Sequence, residues 1–178
     1  FRLGSIGDAI FSLPVINTIK NENPNKLIYL ITNSPINEKA VPQKSIFENS
    51  GIIDKYITYN PKNNLNDLYN LFVQIRKINV ECLYYIPCPR SLKGLIRDYI
   101  FFKLSGVSNI RGLNLKKSLR DPLKIKENEI ERECSRLARN FEDYYPINLD
   151  TKSLWDLKLT KIEFSFTRKI LGDLLDDK

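Results

Sequence analysis

Histidine and methionine are both missing from this 178-residue chain, and each absence limits what the chain can do or be. Without an imidazole there is no Ser-His-Asp or Cys-His nucleophilic centre inside it, so carboxylates are left as the natural general bases. Its three cysteines, Cys82, Cys88 and Cys134, are odd in number and show no Cys-x-x-Cys spacing. Neither a disulfide framework nor a zinc site is expected, and a reducing compartment fits this usage. No apolar run approaches the roughly 18 residues that a membrane helix needs, and no signal-peptide pattern occurs. The reading is of a soluble cytoplasmic protein. Position 1 is Phe1 rather than methionine, and the first strand would begin only two or three residues before its own turn. Strand residues are therefore expected upstream.

What is present is a globular composition with 42% hydrophobic and 28% charged residues and a formal net charge of +7. A surplus of that sign favours anionic partners: phosphorylated small molecules, an acidic membrane surface or nucleic acid. Nucleic acid is the weakest of these, because the aromatic residues are not interleaved with the basic ones and no helix-turn-helix or zinc pattern occurs.

Apolar runs rich in β-formers alternate with helical periodicity along the chain. Strands are expected at Phe1–Leu3, Lys26–Thr32, Ile52–Tyr59, Cys82–Ile86 and Val107–Arg111. Helices are expected at Asp8–Lys20, where Pro14 would introduce a kink, at Ile36–Ser50, broken by Pro42 and closed at Gly51, at Leu65–Ile78, Ser91–Leu104 and Ile162–Leu175. Turns fall at Asn60–Asn64 and at Pro87–Pro89. Gly112–Lys126 reads as a long polar loop. Asn128 to Glu131 reads as a capping box opening a helix whose stripe is Ile130, Cys134, Leu137, Ala138 and Phe141. The alternation predicts an α/β fold, a Rossmann-like parallel sheet with helices on both faces. Residues 1–150 form that domain, and 151–178 a connector and helix leading toward a further domain.

The chemistry concentrates at the start. Gly4-Ser5-Ile6-Gly7-Asp8 reads as a strand-to-helix turn on two glycines, with a carboxylate in the first helical turn. Such a turn brings bare amides and a helix N-terminus to the sheet edge where open α/β folds hold ligands. It is neither Gly-x-Gly-x-x-Gly nor a P-loop, so a dinucleotide or P-loop nucleotide site is not supported. The plain structural alternative is that the glycines serve the turn and Asp8 complements the helix dipole, an effect of about 0.3 to 1 kcal/mol. Arg90, Lys93 and Arg97 at helical spacing form a second candidate, a basic face suited to phosphate or carboxylate groups; the alternative is a solvated face paired with Asp98. Lys116, Lys117, Arg120, Lys124 and Lys126 crowd the long loop, where they could meet an acidic acceptor or anionic lipid headgroups, or simply water. Tyr84, Tyr85, Tyr144, Tyr145 and Trp155 are assigned to no site.

Arg2-Leu3-Gly4-Ser5-Ile6-Gly7-Asp8-Ala9-Ile10, followed by Ser12-Leu13-Pro14, resembles the N-terminal signature of glycosyltransferase family 9, the lipopolysaccharide heptosyltransferases and their relatives. Looser agreement continues through Pro89-Arg90-Ser91-Leu92, Leu104-Ser105-Gly106-Val107 and Glu129-Ile130-Glu131-Arg132 to Leu137. The resemblance implies the N-terminal, acceptor-binding half of a GT-B enzyme, whose C-terminal half would bind a nucleotide-sugar donor as co-substrate. It implies inverting transfer without a metal or other cofactor, with Asp8 as the base and Gly4, Ser5, Gly7, Arg90, Lys93 and Arg97 near the acceptor. The implied partners are an anionic glycan or glycolipid acceptor, the donor, and peripheral contact with the inner face of the cytoplasmic membrane. Gly4 departs from the Ser or Thr of many relatives and removes one hydroxyl from the turn. Two other readings stand beside it: a non-catalytic module binding anionic glycans or nucleic acid, and a degenerate relative that has lost transfer.

Overall fold

The computed structural model describes residues 1–34, 41–60, 65–87 and 90–176. It is a mixed α/β structure in which small two-stranded parallel sheets alternate with helices. Helix α1 spans Ile6–Glu22, strand β1 Tyr29–Asn33, helix α2 Lys44–Phe47 and strand β2 Lys55–Tyr59. Helix α3 covers Leu65–Ile78, strand β3 Cys82–Tyr84, helix α4 Leu92–Leu104 and strand β4 Asn109–Arg111. Then come the short helix α5 (Lys117–Arg120), strands β5 (Lys124–Lys126) and β6 (Glu129–Ile130), helix α6 (Glu133–Asn140), a 3-10 turn (Lys152–Trp155) and helix α7 (Lys161–Asp176).

β1 pairs in parallel with β2, Tyr29 opposite Lys55 and Asn33 opposite Tyr59. β3 pairs in parallel with β4, Cys82 opposite Asn109 and Tyr84 opposite Arg111. Residues 1–3 lie between the two pairs. The Arg2 N–H donates to the Ile31 carbonyl at 3.0 Å and the Ile86 N–H to the Phe1 carbonyl at 3.0 Å, while the Phe1 amine donates to the Tyr84 carbonyl at 2.7 Å. The short opening segment thus has backbone partners on both sides. Next to Phe1, between β1 and β3, runs a groove of about 360 Å³ lined by Phe1, Tyr29, Leu30, Ile31, Leu83 and Tyr84 among others.

Side chains of these strands divide between two hydrophobic clusters, as the period-2 geometry of a strand requires. Leu30 and Ile86 join Ala9, Leu13, Ile16 and Ile19 of α1, Phe47 of α2 and Leu137 of α6. Phe1, Leu3, Ile31, Ile57, Leu83 and Tyr85 join Leu71 and Ile75 of α3 and Leu95 and Phe102 of α4. α1 is buried continuously from Ser12 to Ile19, the pattern of a helix enclosed on all sides rather than one lying on a surface. Pro14 lies inside it, and the Thr18 hydroxyl donates to the Pro14 carbonyl at 2.8 Å.

Two expectations are corrected. The stretch Gly112–Lys126 is not one loop: it contains α5 and β5, and β5 pairs antiparallel with β6 across a turn at Glu127 and Asn128. The helix expected from Asn128 begins at Glu133 instead, and Ile130 is an exposed strand residue rather than part of the buried stripe. The end of the 3-10 turn packs on α1, where the Asn17 side-chain amide donates to the Leu154 and Asp156 carbonyls at 2.9 and 3.1 Å. The segment after residue 150 is therefore tied to the first helix before α7 begins. The turn expected at residues 61–64, Cys88 with Pro89, and the first part of the Ile36–Ser50 expectation lie outside the described residues.

Candidate functional site

The N-terminus of α1 is set from three directions. The Gly4 N–H donates to the Asn33 side-chain oxygen at 2.9 Å, at the end of β1. The Gln43 side-chain amide donates to the Ser5 carbonyl at 3.2 Å and accepts from the Thr32 hydroxyl at 3.2 Å. Ser5, in extended conformation, is the N-cap, and its N–H and hydroxyl both donate to Asp8 Oδ2, at 2.7 and 2.8 Å. The carboxylate three residues into the helix therefore folds back on the cap, as in one half of a capping box.

The two glycines of this turn do different work. Gly4 has φ +140°, and a Cβ there would lie 2.4 Å from Asp8 Oδ2. Only glycine lets the chain pass beneath the carboxylate. Gly7 lies within α1, not in the turn, and a Cβ there would meet nothing nearer than the Ser5 hydroxyl oxygen at 3.8 Å. Its bare backbone leaves the helix start open.

The other Asp8 oxygen faces Arg2, a fully buried side chain. Arg2 Nη2 donates to Asp8 Oδ1 at 3.1 Å, and Nη1 donates to the Pro87 carbonyl at 2.8 Å. That same carbonyl accepts from Arg136 Nη2 at 2.8 Å. Arg136, also buried, makes a forked pair with Glu133 through Nε and Nη2, both 2.7 Å, and Glu133 Oε1 stands 3.7 Å from Arg2 Nη2. Arg2, Arg136, Asp8 and Glu133 form a charge-balanced network of two cations and two anions. Its buried members anchor it, while the Asp8 and Glu133 side chains keep 34% and 26% of their surface exposed. Charges withdrawn from water this far are tolerable only when paired and hydrogen-bonded.

Asp8 retains unused acceptor capacity on Oδ1, and the Ser5 hydroxyl is a rotor able to accept as well as donate.

Arg90 and Arg97 converge on a second carboxylate. Arg90 Nη1 donates to Asp98 Oδ2 at 2.5 Å, Arg97 Nη2 to Asp98 Oδ1 at 2.7 Å, and the Tyr85 hydroxyl to Asp98 Oδ2 at 2.7 Å. Asp98 is buried, and the Arg90 guanidinium lies over the Phe1 ring at 5.9 Å. Burial pushes the Tyr59 hydroxyl pKa up, against the pull of Arg90. Lys93 is exposed on the same helix. Three cations against one carboxylate leave a positive surplus there. The two groups meet at residues 1–3, where Arg2 reaches Asp8 and the neighbouring Phe1 ring underlies Arg90.

The structure therefore brings Gly4, Ser5, Gly7 and Asp8 together at one helix start, and Arg90 and Arg97 together on Asp98. Of the basic residues read into a loop, Arg120 pairs with Asp121 at 2.9 Å and Lys126 with Glu129 at 3.6 Å. Sequence reasoning missed Arg136 and Glu133. Their spacing of three on a helix was the available signal, but it is shared with ordinary surface pairs. Tyr84, Tyr144 and Tyr145 surround the Arg111 guanidinium at 5.8, 5.4 and 5.7 Å. These rings already hold a cation of the chain itself. No family model, curated protein or solved structure matches this chain.

Proposed function

We propose that the chain is the acceptor-side domain of an inverting, metal-independent glycosyltransferase, with Asp8 as its general base. Transfer would pass a sugar, heptose being the first candidate, from a nucleotide-sugar to a lipopolysaccharide or other surface glycan, at the inner face of the cytoplasmic membrane. In this reading β2, β1, residues 1–3, β3 and β4 are successive members of one Rossmann-like sheet with helices on both faces. The chain order reverses beside residues 1–3, and open α/β sheets bind ligands at such a reversal. A donor-binding domain following α7 would complete the GT-B architecture.

The observation that carries this reading is the position of Asp8. It is a partly exposed carboxylate at a helix start beside the central segment, held by a buried arginine that leaves acceptor capacity free. As the acceptor hydroxyl attacks the anomeric carbon, its O–H proton passes to Asp8, the new glycosidic C–O bond forms, and the bond to the nucleoside diphosphate breaks. Closure of the cleft would exclude water from the reacting atoms. The positive surplus around Arg90, Lys93 and Arg97 suits an acceptor carrying phosphate or carboxylate groups.

The test is nucleoside diphosphate release from a panel of nucleotide-sugars by the enzyme carrying both domains, with acceptor extracts. Asp8→Asn should lower turnover by about 10²-fold or more, the scale of general-base catalysis. Near-normal turnover of Asp8→Asn would remove Asp8 from the chemistry. Absence of release with every donor would favour the binding-module or degenerate reading.

A further inference from the structure

We infer that the outward face of α3 and α4 is a docking surface for an anionic lipid bilayer. α4 buries Leu95, Asp98 and Phe102 on its inner side. Its outer side carries Leu92, Ile96, Ile100 and Leu104, each four residues from the last and 46%, 42%, 50% and 66% exposed. An i, i+4 row lies along one side of a helix, so these four form an apolar ridge the length of α4, open to solvent where a polar face is the rule. Lys93 and Arg97 run alongside it, and Lys103 lies near its end with its ammonium over the Tyr99 ring at 5.7 Å. The one carboxylate of α4, Asp98, is turned inward.

α3 extends the same surface. Its Phe72 ring meets Phe101 of α4 edge-on at 6.4 Å, and Arg76 covers Phe72 at 5.6 Å. Tyr69 and Val73 are 65% and 42% exposed, with Arg76 and Lys77 exposed beside them. The only carboxylate of α3, Asp67, is half-buried.

The occupant follows from this combination. Exposed aliphatics beside lysines, with no exposed acid, are the makeup of interfacial helices that set apolar side chains among acyl chains and cations among anionic headgroups. A protein partner would be met by a surface poorer in lysine, and nucleic acid gives no reason for a ridge of leucine and isoleucine. No helix among the described residues is long and apolar enough to cross a membrane, so the contact is adsorption. The inference names the surface for the peripheral placement proposed above. Its test reads adsorption rather than transfer, so either can fail without the other.

The experiment is cosedimentation of the chain with phosphatidylcholine vesicles, with and without about 30 mol% phosphatidylglycerol. Binding should require the anionic lipid and fall in about 0.5 M salt. Ile96→Ser with Ile100→Ser, and separately Lys77→Glu with Lys103→Glu, should each reduce the bound fraction several-fold, with unchanged circular dichroism. Lys124→Glu with Lys126→Glu, on the β5–β6 hairpin, should keep most of the binding. The inference is overturned by no binding to anionic vesicles, by binding that Ile96→Ser with Ile100→Ser leaves intact, or by an equal loss from the hairpin pair, which would mean that net charge alone is responsible. It is equally overturned if light scattering shows a dimer that the Ile96 and Ile100 substitutions dissociate, because the face would then serve self-association.

Discussion

Gly4 passes so close beneath Asp8 that a single methyl group on it would stand 2.4 Å from the Asp8 carboxylate oxygen. The turn and the proposed base are therefore one steric unit. Gly4→Ala must move the carboxylate off Ser5 and Arg2 while adopting a backbone conformation that side-chain-bearing residues avoid. Such a conformation costs about 1–3 kcal/mol, and urea unfolding should show a loss of that order. Gly7→Ala meets no obstacle and should be neutral or stabilising, by up to about 1 kcal/mol. Equal behaviour of the two variants would refute this account of the turn.

Arg2 and Asp8 separate stability from chemistry. Arg2→Ala leaves the Pro87 carbonyl with one donor fewer and the two carboxylates short of a cation, and removing one member of a buried charge network typically costs about 3–5 kcal/mol. Asp8→Asn keeps the size and one acceptor oxygen but turns an amide donor toward either Ser5 or Arg2, while Glu133 at 3.7 Å still faces Arg2, so thermal unfolding should register a loss of about 1.5–3 kcal/mol, less than Arg2→Ala. The transferase reading requires the reverse order in turnover. A stability loss from Asp8→Asn as large as that from Arg2→Ala would show that the carboxylate charge serves the fold.

Acid should loosen the attachment of the β5–β6 hairpin to α6. Burial works to raise the Glu131 pKa, but the Arg139 guanidinium and the Leu123 N–H outweigh it and hold the carboxyl below its ordinary value of 4.5. Arg139 Nε donates to Glu131 Oε1 at 2.9 Å, and Arg139 also binds the Ser118 and Asp121 carbonyls. A carboxylate with a lowered folded-state pKa contributes stability above its unfolded pKa and loses it as the pH falls through the folded value. Melting temperature should therefore decline as the pH drops below about 4.5, and Glu131→Gln should be less stable at pH 7 with a shallower decline. An unchanged slope would mean that other carboxylates govern the acid limb.

The groove beside Phe1 is lined by apolar side chains of β1 and β3, Leu30, Ile31 and Leu83 among them. The Phe1 amine already donates to the Tyr84 carbonyl as a strand amide would. Fusing four or five valine- and isoleucine-rich residues ahead of Phe1 should place side chains against Leu30, Ile31 and Leu83. Each one buried contributes about 1.5–3 kcal/mol before ordering costs. The melting temperature should rise relative to a Gly-Ser extension of equal length. Identical melting of the two fusions would show that the groove does not accept a strand.

Legibility in the sequence followed how local each determinant was. α3 lies where its Leu68, Leu71, Phe72 and Ile75 period puts it, and α4 begins one residue after its Ser91 cap, whose hydroxyl accepts from the Gly94 N–H at 3.2 Å. The β5–β6 hairpin escaped because both strands are exposed and carry no alternating buried face. Ile130 misled because it keeps helical phase with Cys134 and Leu137 yet lies on a strand. At the candidate site Asp8 was legible as a carboxylate in a helical first turn. Arg136 was not, because its burial depends on the Pro87 carbonyl, 49 residues earlier.

The shared Pro87 carbonyl also bears on the order of folding. It joins Arg2 across 85 residues and Arg136 across 49, and contacts so distant in sequence close only after a large loop-entropy cost has been met. The opening turn acquires Arg136 and Glu133 as neighbours only when α6 has been synthesised and docked. Until then Arg2 and Asp8 stand without the second half of their network, and the site is among the last parts of the molecule to mature.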